Sequence, residues 1–311
     1  MTGLRAIAQL EDKLTNWAKK RTAWFRIGLF LLVLGLVWLP FGALVYLPSG
    51  WFKGSNVAEI AVLALLYIGF LLGLPYWGRR VHSWPRPFQQ CGLIFQAQTA
   101  RDLLLALVIG VLGVFALFGL GTLLGWAVPS SPSPRLVRFI FEGLVMALAV
   151  GFAEEMLFRG WVLAELEQDY RPTQALLASS LFFAATHFIK PWSEIVRTFP
   201  QFLGLVLLGM ALVWARRSPS PQEVKAGAET KEANAKVQKT TRLGYPIGLH
   251  AGLIWGYYII NVGGLSEYTG RVPDWLTGID GNPLAGLMGL ILLGLIARQF
   301  AKTAQKKAES F

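Results

Sequence analysis

Leu144-Val-Met-Ala-Leu-Ala-Val-Gly-Phe-Ala-Glu154-Glu155-Met-Leu-Phe-Arg159-Gly-Trp-Val-Leu163 is an apolar run with three ionisable side chains in its second half. One such charge at the centre of a membrane-spanning helix costs roughly 2.5–3.5 kcal/mol on insertion scales. Three of them within six residues therefore point to a functional site inside a membrane. Composition agrees. Of 311 residues 54% are apolar and 15% charged, where a soluble domain averages about 25% charged. The mean hydropathy is +0.48. The net charge of +11 need not imply nucleic-acid binding, because Lys and Arg on cytoplasmic loops facing an anionic leaflet produce the same excess. A single cysteine, Cys91, offers neither an intrachain disulfide nor a redox pair. No signal peptide is expected, since about twenty mixed polar residues precede the first apolar run.

Eight apolar runs predict an all-α, polytopic integral membrane protein, with spans near 24–47, 57–78, 102–127, 137–163, 174–189, 198–215, 244–262 and 283–299. If the N-terminus is inside, the cytoplasmic segments 1–26, 79–101, 164–173, 216–243 and 298–311 hold 22 Lys and Arg against six on the other side. That asymmetry predicts both termini in the cytoplasm. The domain reading is an amphipathic segment at 1–23, one membrane domain at 24–299 and a cytoplasmic tail at 300–311. In the first segment Leu4, Ile7, Leu10, Leu14 and Trp17 recur at helical spacing, which suits a helix lying on the bilayer surface. Residues 216–243 read as a flexible basic loop. No internal repeat is evident, which counts against an inverted-repeat transporter.

On an α-helix with 100° per residue, Glu155 and Arg159 share a face and can pair. Glu154 points about 140° away from Arg159, which leaves it free to act as a general base. Two of the three histidines also fall inside predicted spans: His187, one turn after Phe183, and His250, within Gly248-Leu-His250-Ala-Gly252. From the predicted cytoplasmic ends, Glu154 lies roughly 15 Å deep, His187 roughly 20 Å and His250 roughly 9 Å. Three helices thus place a carboxylate and two imidazoles in one layer between the cytoplasmic surface and the bilayer centre, as a water-filled site inside a bundle requires.

Glu154-Glu155-x-x-x-Arg159, Phe183-x-x-x-His187 and His250 in Gly-Leu-His-Ala-Gly resemble the three motifs of the CAAX protease and bacteriocin-processing family. These are polytopic intramembrane endopeptidases that include the type II CAAX prenyl endopeptidase, and the resemblance covers about residues 137–262. It implies an intramembrane protease in which Glu154 and His187 activate the attacking water and Glu155 and Arg159 support them. His250 would help stabilise the oxyanion. Where the family usually carries Asn or a similar polar residue four positions after that histidine, this chain has Ile254. Tyr257 and Trp255 are the nearest alternative donors. The resemblance favours a metal-independent mechanism with no cofactor, although one Glu and two His could also bind zinc. The expected partners are the lipid bilayer and a membrane-associated or lipidated peptide or protein, entering from the cytoplasmic side or laterally. The alternative is an inactive relative serving as a membrane scaffold or chaperone.

Overall fold

The computed structural model describes residues 13–46, 57–219 and 241–309. Most of the expected amphipathic segment and most of the basic loop lie outside these residues; of the former, 13–19 are helical. The helices are α1 (Ala23–Tyr46), α2 (Val57–His82), a short α3 (Pro87–Gln90), α4 (Ala97–Leu123) and α5 (Leu136–Glu155). A π-helical segment, Met156–Val162, joins α5 to α6 (Leu163–Asp169). Then come α7 (Pro172–Thr186), α8 (Trp192–Thr198), α9 (Gln201–Arg217), α10 (Gly244–Asn261), α11 (Asp274–Thr277) and α12 (Leu287–Glu309). The only strands among the described residues are β1 (Ala127–Pro129) and β2 (Ser266–Tyr268), an antiparallel pair with Val128 opposite Glu267. The all-α expectation therefore holds.

Among the described residues, five helical stretches are long and apolar enough to cross a membrane: Ala23–Val45, Val57–His82, Ala97–Leu123, Leu136–Asp169 and Leu287–Gln305. A sixth is obtained if α8 and α9, bent by 72°, count as one broken span. This makes a multi-pass membrane protein, with fewer self-sufficient spans than the eight apolar runs. The physical reasons differ. The helix at 174–189 ends at Thr186 and has 15 residues, against about 20 for a straight crossing. The 198–215 run is broken by the bend before Gln201. α10 has 18 residues, but its glycines, tyrosines, Pro246 and His250 make it less apolar, as befits a helix packed by protein on most sides. The expected loop at 164–173 is helical as far as Asp169.

The chain divides into two compact units. In the first, residues up to Cys91 together with 164–171, buried polar groups tie the helices together. Glu165, fully buried, accepts from Arg26 Nε (2.9 Å), from Trp77 Nε1 (2.7 Å) and from His82 Nε2 (2.7 Å). Asp169 accepts from Arg26 Nη2 (3.3 Å) and from the Ala23 amide. Every lone pair engaged here offsets part of the cost of burying charge.

The second unit, residues 92–163 and 172–311, is built round α10. Gly244, Gly248, Gly252 and Gly256 form a stripe at four-residue spacing that faces Thr99, Leu103, Leu107 and Val111 of α4. A Cβ at Gly248 would lie 2.0 Å from the Leu103 carbonyl oxygen, and one at Gly252 would lie 2.2 Å from that of Leu107. The two backbones are in contact, the arrangement that small-xxx-small repeats allow between membrane helices. On the α5 side, a Cβ at Gly151 would lie 3.1 Å from the Ile247 carbonyl oxygen. At the end of the unit bearing the β-pair, Tyr268 stacks on Phe118 with ring centroids 5.6 Å apart, and burial pushes its phenol up to about 12.

Gly248→Ala and Gly252→Ala are expected to destabilise the protein by about 1–3 kcal/mol, because the added methyl meets backbone that cannot yield. Gly119→Ala, on α4 with open space at its Cβ position, is expected to be neutral or stabilising by about 0.5–1 kcal/mol. Thermal unfolding of the detergent-solubilised variants distinguishes the two classes.

Candidate active site

The second unit contains all five residues singled out from the sequence. Glu154 and Glu155 close α5, and Arg159 lies in the π-helical segment that follows. π-turns are rare and concentrate at functional sites, because the extra residue per turn re-aims side chains without ending the helix. Across this junction Arg159 Nη1 donates to Glu155 Oε1 at 2.8 Å, with both side chains fully buried. The guanidinium also sits over the Phe183 ring, 4.1 Å from its centroid, a cation–π contact that holds its plane.

His250 meets the same carboxylate. Its Nδ1 lies 2.8 Å from Glu155 Oε1. An ionised carboxylate only accepts, so Nδ1 carries a proton and donates it there. His187 is held in the same way one residue beyond the end of α7, where its Nδ1 lies 2.8 Å from the Phe183 carbonyl oxygen, again an obligate acceptor. Both rings therefore turn Nε2 inward, and both Nε2 atoms face one oxygen. Glu154 Oε2 is 3.8 Å from His187 Nε2 and 4.0 Å from His250 Nε2, and has no hydrogen-bond partner among the described residues. The two adjacent glutamates thus stand in opposite situations. Glu155 is buried and engaged, while Glu154 is partly exposed, at 29%, and bordered by two imidazole nitrogens.

Glu154, His187 and His250 border a cavity of about 370 Å³ whose other walls are mainly apolar. Ile254 lines it one turn beyond His250, so a hydrocarbon occupies the place of a polar donor. Tyr257 also lines the cavity, and its hydroxyl donates to the Gly281 carbonyl oxygen at 3.1 Å. The Trp255 indole is directed elsewhere and donates to the Ile140 carbonyl oxygen at 2.8 Å. Asn261 donates to the Tyr257 hydroxyl (3.1 Å). Glu154 with two imidazole nitrogens is the donor type of a catalytic zinc site. Among the described residues, however, no three His, Cys, Asp or Glu side chains are gathered closely enough to hold a metal ion. The sequence reading had no signal for the π-segment or for the Glu155–His250 hydrogen bond, which depends on how α10 is seated.

Arg159→Ala removes one partner of a fully buried pair and is expected to cost about 3–5 kcal/mol of stability. Glu154→Gln replaces a carboxylate that has no hydrogen-bond partner among the described residues and is expected to stay within about 0.5 kcal/mol of the parent. Melting curves of the two purified variants check both values.

Neither curated proteins nor solved structures provide a match to the chain. Residues 136–219 match the Rce1-like family model, described as type II CAAX prenyl endopeptidase Rce1-like. The matched stretch begins with α5 and ends just beyond α9, and it includes Glu154, Glu155, Arg159 and His187. His250 lies beyond it in sequence and joins these residues in space. Through this segment the chain is similar to the CAAX protease and bacteriocin-processing family.

Proposed function

We propose that the protein is an intramembrane endopeptidase that hydrolyses a peptide bond with water activated by Glu154. The observation that carries this reading is Glu154 Oε2, which has no hydrogen-bond partner among the described residues and faces two Nε2 atoms beside a largely apolar cavity. A water between Glu154 and His187 donates one proton toward each acceptor, which leaves an oxygen lone pair directed at the substrate carbonyl. As the oxygen bonds to the carbonyl carbon, its proton passes to Glu154. When the tetrahedral intermediate collapses, the carbon–nitrogen bond breaks and Glu154 returns that proton to the departing amine. His250, its ring held by the Nδ1–Glu155 hydrogen bond, turns Nε2 toward the cavity and in its doubly protonated form donates to the oxyanion. Arg159 holds Glu155 in place through the 2.8 Å contact between Nη1 and Oε1. No step draws on a metal.

In the membrane, α7 and α10 complete eight crossings as helices packed within the bundle. The 22-to-six bias of Lys and Arg supports cytoplasmic termini. The substrate on this reading is a membrane-associated or lipidated polypeptide. Ile254 favours a second reading, a catalytically inactive scaffold or chaperone, because one oxyanion donor can be worth about 10²–10³ in rate.

Reconstituted wild type is expected to release new peptide termini from membrane proteins, and activity is expected to survive chelation. Glu154→Gln and His187→Ala are each expected to reduce the rate by about 10²–10⁴. Comparative terminal proteomics of wild-type and Glu154→Gln cells reads this directly, and identical termini in both would favour the scaffold. Ile254→Asn is expected to raise kcat with little change in KM.

A further inference from the structure

The cavity carries polar groups that the hydrolytic steps do not use. Among the described residues lining it, the charged side chains other than histidine are Glu154 and Lys190. Gln201, Tyr257 and Asn282 add neutral polar groups, and most of the remaining wall is apolar. Lys190 follows His187 by three residues, in the turn between α7 and α8. Three residues of chain span at most about 11 Å, so this cation stands a short distance from the reacting groups.

Packing brings Lys190, Gln201 and Asn282 into one region. The Lys190 ammonium sits over the Phe188 ring, 4.9 Å from its centroid. Phe188 meets Phe202 edge-on with centroids 5.6 Å apart, and Phe202 is the neighbour of Gln201 in the first turn of α9. One turn later Gly204 has no room for a Cβ against the Leu284 carbonyl oxygen, which presses α9 onto the turn at 282–284. There Asn282 Oδ1 accepts from the Leu284 amide at 3.0 Å, and its NH2 group remains a donor. An ammonium, a carboxamide and an NH2 group from three segments therefore border the same space.

An ammonium beside apolar walls is costly without an anionic partner, and Lys190 forms no ion pair among the described residues. Glu194 lies within its electrostatic reach, but Arg197 Nη2 already holds that carboxylate at 2.7 Å. Glu154 Oε2 is turned to the two imidazoles, 3.8 and 4.0 Å away.

Building on the proteolytic reading, we propose that Lys190, with Gln201 and Asn282, forms a subsite for a carboxylate of the polypeptide substrate. An acidic side chain or a free C-terminus supplies it, about three extended residues from the scissile bond. Two charges set that spacing: Glu154 repels a carboxylate beside the bond, and Lys190 attracts one farther along. The walls between them take apolar side chains, so selection rests on one charge-assisted contact in a poorly hydrated space, where such contacts are strong.

The test measures binding to the full chain in detergent, in a Glu154→Gln background so that no peptide is consumed. The probes are fluorescein-labelled, leucine-rich peptides of equal length. One series has an amidated C-terminus and a single Glu at successive positions, a neutral reference has Gln in its place, and a third has Gln and a free C-terminal carboxylate. A carboxylate peptide is expected to bind about tenfold tighter than the neutral reference, and the series that does so identifies the source. Lys190→Gln is expected to abolish the preference and Gln201→Leu to weaken it. Lys190→Arg is expected to keep it, with the neutral peptide bound alike by every variant. Equal binding of all the peptides, or a preference that survives Lys190→Gln, overturns the proposal. Binding is read without cleavage, so loss of the proteolytic reading through unchanged termini in Glu154→Gln cells is a separate result.

Discussion

Contact between the backbone of α10 and that of α4 is the constraint on which the site depends. Gly248 and Gly252 sit against the Leu103 and Leu107 carbonyls with no room for a side chain. The helix can therefore neither slide nor rotate without a backbone clash. Its axial position sets the height of His250, and its rotation directs the imidazole at Glu155 while Ile254 and Tyr257 face the cavity. In a bilayer, where apolar burial does not draw helices together, close fit of this kind replaces the hydrophobic effect as the source of order.

On that frame, two identical residues diverge in chemistry. Glu155 donates nothing and accepts from both Arg159 and His250 through one oxygen, so it acts as an electrostatic anchor between α10 and the π-segment. Glu154, one residue earlier, escapes those donors and keeps an oxygen for the cavity. The imidazoles are set by their backs: a main-chain carbonyl fixes His187 and a carboxylate fixes His250, so each Nε2 is left for what enters the site. Holding ligands by their outer nitrogen is a general device for pre-orienting imidazole.

Much of this was legible in the sequence, for identifiable reasons. A charge in an apolar run is so costly that Glu154, Glu155 and Arg159 stood out by themselves, and four-residue spacing foretold the Glu155–Arg159 pair. The spans were less legible. α7, α9 and α10 obtain part of their enclosure from neighbouring protein, so hydropathy and length understate what α10 does and overstate α7. The stripe Gly244-x₃-Gly248-x₃-Gly252-x₃-Gly256 was present as a pattern but served only as the setting of His250. Its meaning requires the row of α4 carbonyls opposite. Glu165 falls in the segment 164–173 expected outside the membrane, and nothing local shows that Arg26, Trp77 and His82, each distant in sequence, all converge on it.

The brevity of α7 carries a consequence for the lipid. Fifteen residues rise only about 22 Å, several ångströms less than the hydrocarbon thickness of an ordinary bilayer. Acyl chains beside this helix must shorten or tilt to meet its end, and the exposed apolar side chains of α8 give them a surface to follow. On the proposed eight-crossing arrangement, a helix this short thins the leaflet next to His187. There water has less hydrocarbon to cross, and the composition of the surrounding membrane becomes part of how readily the site is reached.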